Sequence, residues 1–172
     1  MKTGKVHSQP TKRLLARTVA PVLMPPEDLR QWLPETEVLR CVIAAVAEVG
    51  TPRLPALPWP DTEGIFTHGT LCSLLAYYYA TGRSGTEDML ASVRREAALG
   101  YLCVPHPPSA TAVRRFRRRH RPTLIAVLAQ IAETAASEHG APTATPSPAD
   151  CQRWAEDRVE RAALEDAVAA DV

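Results

Sequence analysis

Ser109-Ala110-Thr111-Ala112-Val113-Arg114-Arg115-Phe116-Arg117-Arg118-Arg119-His120-Arg121 is the stretch on which the fold turns. Two prolines, Pro107 and Pro108, precede it and stop any earlier helix from running through. Ser109 is a good N-cap, and Pro122 stands just past the far end. Wound at about 100° per residue, the segment puts Val113, Phe116 and His120 on one narrow face. Arg114, Arg115, Arg118 and Arg119 spread over the opposite side, with Arg117 and Arg121 on one flank. Such a helix is anchored on one side and meets anions on the other. The plainer reading of a charged run is a solvated face. Here, however, the six charges are all Arg, and the interspersed Glu that would form i,i+4 pairs is missing. Guanidinium matches phosphate and guanine edges bidentately, so nucleic acid is the leading partner.

Working outward, helical spacing recurs along the chain. Pro25, Pro26, Glu27 and Asp28 suit a first turn, with Leu29, Trp32 and Leu33 as its stripe and Pro34 closing it. Glu35–Val49 repeats Val38, Leu39, Val42, Ile43, Val46 and Val49 at helical spacing, and Gly50 stops it. Residues 51–62 hold four prolines and read as a loop. A helix from Gly64 or Thr67 to Thr81 is apolar nearly all round, which places it centrally. Gly82-Arg83-Ser84-Gly85 makes a tight connection to Thr86–Leu99, whose inward residues are Met89, Leu90, Val93 and Ala97. Tyr101–Pro108 is a link. After the arginine helix comes Thr123–Ser137, striped by Leu124, Val127, Leu128 and Ile131. No period-2 alternation of β-branched residues marks a strand. The expected fold is all-α: a helical bundle containing a helix-turn-helix-like unit, with a basic N-terminal tail and a separate C-terminal helix.

Four segments follow from this pattern: a basic, mobile tail over 1–24, the helical domain over 25–139, a Pro/Ala/Thr linker over 140–149, and an acidic helix over 150–172. That last helix is charged on most sides, so removing it is expected to leave the fold intact. The 172 residues carry a net charge of only +1, and 45% are hydrophobic, enough for a core. The charge is lopsided: Lys2, Lys5, Lys12, Arg13 and Arg17 crowd the start, while acids dominate the end. No apolar run approaches a membrane span, and the first residues lack the apolar centre of a signal peptide. Cys41, Cys72, Cys103 and Cys151 are scattered without a C-x-x-C, which reads as cytoplasmic and reduced.

Taken together, the sequence of motifs is familiar. Leu71–Tyr79, Thr81-Gly82-Arg83-Ser84, Leu99-Gly100-Tyr101-Leu102-Cys103 and Pro108 to His120 resemble the N-terminal domain of bacterial insertion-sequence transposases of the DDE class. The resemblance spans about residues 25–135 and is densest at Ala110–His120. In that family a hydrophobic helix leads through a G-x-R-S turn to a variable helix, a G-Y-L-C segment and a helix ending F-R-R-R-H. Val113 departs from the family's usual Leu or Ser, which leaves the base-reading positions open. The resemblance implies a helix-turn-helix that binds double-stranded DNA, with the Ser109–Arg121 helix in the major groove. Ser109, Thr111, Arg114 and Arg115 would meet base edges or flanking phosphates. Arg117, Arg118, Arg119 and Arg121 would hold the backbone, and the basic tail would add non-specific attraction or a minor-groove arm.

A DDE enzyme needs three carboxylates on a mixed α/β domain to hold two metal ions. Nothing here reads as strands, and Glu156, Asp157 and Glu160 read as a solvated helix face. The expectation is therefore a stand-alone relative of the DNA-binding domain or a truncated transposase: not an enzyme, with no catalytic residue, no metal and no cofactor. The alternative is a protein-interaction module that self-associates or regulates a full-length transposase, or else a non-functional remnant. Salt separates the classes, because DNA affinity falls steeply with it and an apolar interface barely responds.

Three smaller features complete the reading. His68 and Cys72 at i,i+4, with Cys103 and His106, form a possible zinc set, but buried cysteines and a loop histidine are the better account. Tyr77, Tyr78 and Tyr79 cannot all face one way. They read as core aromatics with satisfied hydroxyls rather than as base-stacking groups. His120 reads as a half-buried residue closing its helix.

Overall fold

The computed structural model describes residues 24–54, 67–103, 107–139 and 145–170. Every regular element among them is helical, as the periodicity requires. The basic tail up to residue 23, the centre of the Pro-rich loop, His106 and residues 140–144 of the linker lie outside the described residues.

Glu35–Ala45 form α1, with Val38, Cys41, Val42 and Ala45 buried. The expected run to Val49 does not continue as an α-helix. From Val46 to Gly50 the chain widens into a π turn, then tightens into a 3-10 turn over Thr51–Arg53. Gly50 explains the close approach there: a Cβ would stand 3.2 Å from Val127 Cγ2 and 3.7 Å from Cys72 Sγ. Without that Cβ, the turn packs against the two helices that carry those side chains.

His68–Ala80 form α2, capped by Thr67, whose Oγ1 accepts from the Thr70 amide. This helix is the centre of the core. Leu71, Cys72, Leu74, Leu75, Ala76 and all three tyrosines are buried. The tyrosines face three ways, and each hydroxyl reaches a different element. Tyr77 donates to Glu35 at 2.7 Å and Tyr78 to Asp88 at 2.5 Å, while the Tyr79 oxygen accepts from Arg117 at 2.8 Å. A buried phenol is tolerated because each polar tip has a partner.

Beyond Thr81 the backbone turns at Gly82, whose φ of +78° suits glycine. The single helix expected over Thr86–Leu99 is two: α3, Thr86–Val93, and α4, Ala97–Leu102. Arg95 and Glu96 amides both close on the Ser92 carbonyl, and Glu96 adopts extended backbone before α4. The break turns Ala98 and Leu99 into the core and leaves Ala97, the residue expected inward, exposed. The expected link over Tyr101–Pro108 correspondingly begins as helix, up to Leu102.

Ala110–Arg119 form α5, Arg121–His139 form α6 and Pro148–Ala170 form α7. The long α6 packs along α7, α1 and α2. Here the expectation of a separate, weakly attached C-terminal helix fails. Cys151, Trp154, Ala155, Val159 and Ala162 are all buried and join the same core as α2. Trp154 Nε1 donates to the Pro26 carbonyl at 2.9 Å, and Arg158 reaches Glu27 at 3.3 Å. Arg161 pairs with the same carboxylate. The α7 stripe is faint in the sequence because three of its five buried apolar residues are Cys or Ala, whose periodicity carries little hydrophobic signal.

Candidate nucleic-acid interface

Ser109 caps α5 as its residue type dictates: its Oγ accepts from the Ala112 amide at 3.2 Å. The helix then buries Ala112, Val113 and Phe116. His120 closes the far end, its amide bonded to the Phe116 carbonyl at 2.8 Å. The His120 ring lies 4.7 Å from that of Phe116 and 5.1 Å from that of His68. Burial lowers its pKa from the ordinary value, and the neighbouring His68 and Arg119 push the same way.

The six arginines divide. Arg115, Arg118, Arg119 and Arg121 are exposed, and so is Thr111. Thr111, Arg115 and Arg118 fall at i, i+4 and i+7, one outward row on α5, with Arg119 and Arg121 flanking it. Arg114 is half-buried and pairs with Glu87 of α3 at 2.8 Å and Asp166 of α7 at 3.5 Å.

Arg117 is the correction. Its expected role is to hold a phosphate backbone, yet it is only 3% exposed. Its guanidinium donates to Tyr79 at 2.8 Å and Thr86 Oγ1 at 3.3 Å, and it is ion-paired with Asp166. Burial pushes the Tyr79 phenol up to about 12, so it stays a neutral acceptor for this charge. Arg117 lies four residues after Val113 and shares its side of the helix, a proximity that the flank assignment underrates. Its partners, on α2, α3 and α7, are distant in sequence, so no local spacing marks them.

The turn motif Gly82-Arg83-Ser84 has a structural use for every residue. Gly82 supplies the positive φ, and a Cβ there would meet the Glu27 carbonyl oxygen at 3.0 Å. Arg83 lies over the Tyr78 ring, 4.5 Å from its centroid, and pairs with Glu96 at the break between α3 and α4. Ser84 donates to Glu165 of α7. Between α5 and α7 lies a cavity of about 440 Å³, with Arg114, Arg117, Arg118 and Arg121 on one wall and Val159 and Ala163 on the other.

The other candidate chemistry is not assembled among the described residues. No group of three or more His, Cys, Asp or Glu is placed to hold a metal ion there, and His106 of the zinc set lies outside them. All four cysteines are free and buried. Burial pushes Cys72 and Cys103 up to about 12 and Cys151 to about 11. Cys41 is likewise raised to about 11 by burial, helped by the Glu138 charge. Such thiols are poor nucleophiles at neutral pH. No helix among the described residues is long and apolar enough to cross a membrane. Compared with known proteins, the chain matches no family model, no curated protein and no solved structure.

Proposed function

We propose that this is a DNA-binding protein, related to the N-terminal domain of insertion-sequence transposases and using a helix-turn-helix-like unit whose contact helix is α5. The observation that carries the reading is the outward row Thr111, Arg115 and Arg118 with Arg119 beside it, exposed on a helix that has no acidic residue, and Arg121 exposed at the start of α6. A helix of this width enters the major groove, and guanidinium meets both phosphate and guanine there. Ser109 and Thr111 at the N-terminal end are the hydroxyls nearest the helix start, where base or phosphate contacts concentrate. Arg114 joins the set only where its two carboxylate partners leave it a free edge. The source is cytoplasmic in this reading, and neither a catalytic centre nor a cofactor is invoked.

The test is a salt titration with a short fluorescent duplex. Arg118 and Arg121 have no ion-pair partner among the described residues, so R118A/R121A removes only outward charge. The double variant is expected to bind more weakly, with its log–log salt slope reduced by roughly 0.9 for each phosphate no longer neutralised. An unchanged slope would make the arginines a solvated face and end the reading.

A second reading, docking of another protein such as a transposase or a second copy, is favoured by one patch. Exposed Ile43 and Tyr101 flank a shallow cavity of about 390 Å³ floored by Leu39 and Ala47. Binding through this patch would be insensitive to salt and abolished in I43D.

A further inference from the structure

The end of α7 is held differently from its beginning. Up to Ala162 the helix buries an apolar stripe, but between Ala163 and Ala169 no apolar side chain is buried, and Leu164 and Val168 are 62% and 68% exposed. What fastens these last turns is charge. Glu165 accepts from the Ser84 hydroxyl, and its Oε2 would stand 3.1 Å from a Cβ on Gly85, the residue that caps the N-terminus of α3. Asp166 pairs with Arg117 and lies 3.5 Å from Arg114. Two consecutive carboxylates thus occupy a hydroxyl at a helix N-terminus and a pair of guanidinium groups. Both are positions that bind phosphate oxygens as readily as carboxylate oxygens.

We propose that the end of α7 is a built-in stand-in for the nucleic-acid backbone, with Glu165 and Asp166 holding a phosphodiester site made by Ser84, Arg114 and Arg117. This rests on the DNA-binding reading above. Arg114, Arg117 and Asp166 line the same cavity between α5 and α7 as Arg118 and Arg121, so the guanidinium groups that Asp166 holds are continuous with the outward arginines. Displacing the segment exchanges one ion pair for another and costs little buried apolar area. The segment therefore sets a threshold: low-affinity or short ligands leave it in place, and a full duplex contact releases it.

The experiment measures duplex affinity across salt for the full chain and for E165Q and D166N. Each variant is expected to bind on the order of tenfold more tightly at low salt, the size of one charge-assisted contact. The salt slope should steepen by roughly 0.9 in D166N, which frees the Arg117 guanidinium, and stay as in wild type in E165Q, which frees only the Ser84 hydroxyl. E165Q leaves Arg117 paired and carries the test should D166N fail to melt cooperatively. Hydrogen exchange on the wild-type chain gives an independent reading: amides of residues 163–169 should lose protection on adding duplex. Unchanged affinity in both variants, an unchanged slope in D166N, or unchanged protection at saturating duplex, overturns the proposal. If R118A/R121A still weakens binding in those cases, the DNA-binding reading stands without it. If R118A/R121A binds like wild type, both readings fall.

Discussion

Replacing Arg117 by Ala strands the Asp166 carboxylate beside a half-buried Arg114 and leaves the Tyr79 hydroxyl without its donor. Breaking a buried pair from one side costs about 3–5 kcal/mol, because the remaining charge stays desolvated. The neighbouring Arg118 is exposed, and the effect of its removal falls within about 0.5 kcal/mol. Thermal melts of R117A and R118A therefore separate the two, and equal shifts would contradict the burial described above. His120 supplies the pH counterpart. Its folded pKa is lowered, so as pH falls through the ordinary histidine value the unfolded chain takes up a proton that the folded chain refuses. Stability is full above the ordinary histidine value and declines as pH falls below it. Melting temperature should drop over that window in wild type and drop less in H120Q; parallel curves would show that His120 is not the group responsible.

At the scale of elements, the connection after α2 shows what local sequence can specify. Gly82-Arg83-Ser84 is readable as a tight turn because glycine, and little else, takes a φ of +78°. G82A meets both that torsion and the Glu27 carbonyl oxygen, and should destabilise by about 1–2 kcal/mol. A neutral result by denaturant unfolding would mean the turn relaxes. The start of α5 is equally legible, since Ser109 after two prolines fixes an N-cap. The break between α3 and α4 is not. Thr86 to Leu99 keeps helical spacing throughout, and what interrupts it is tertiary: Arg83 fixes Glu96, and Ala98 and Leu99 must reach the core together. The outward row of α5 follows from periodicity, whereas the engagement of Arg114 and Arg117 depends on acids brought from α3 and α7.

Across the whole molecule, α7 has two distinct attachments, and two truncations separate them. Ending the chain at Ala162 removes Asp166 and Glu165 but no buried apolar side chain of α7 apart from the cut residue's own surroundings. The cost should therefore be that of the Arg117 partner, softened by water that enters beside the freed guanidinium. Ending it at His139 removes Cys151, Trp154, Ala155, Val159 and Ala162 together and strips the face of α6 they cover. Burying Val159 alone is worth about 1.5–3 kcal/mol, and truncating a buried Trp to Ala costs about 3–5 kcal/mol. With Cys151, Ala155, Ala162 and the uncovered face of α6 added, that loss is comparable to the whole stability of a domain, about 5–15 kcal/mol. The longer truncation should thus lose its cooperative thermal transition, W154A should keep it at a clearly lower temperature, and the shorter truncation should lie closest to wild type. A fully cooperative melt after removal of residues 140–172 would restore the C-terminal helix to the status of an appendage.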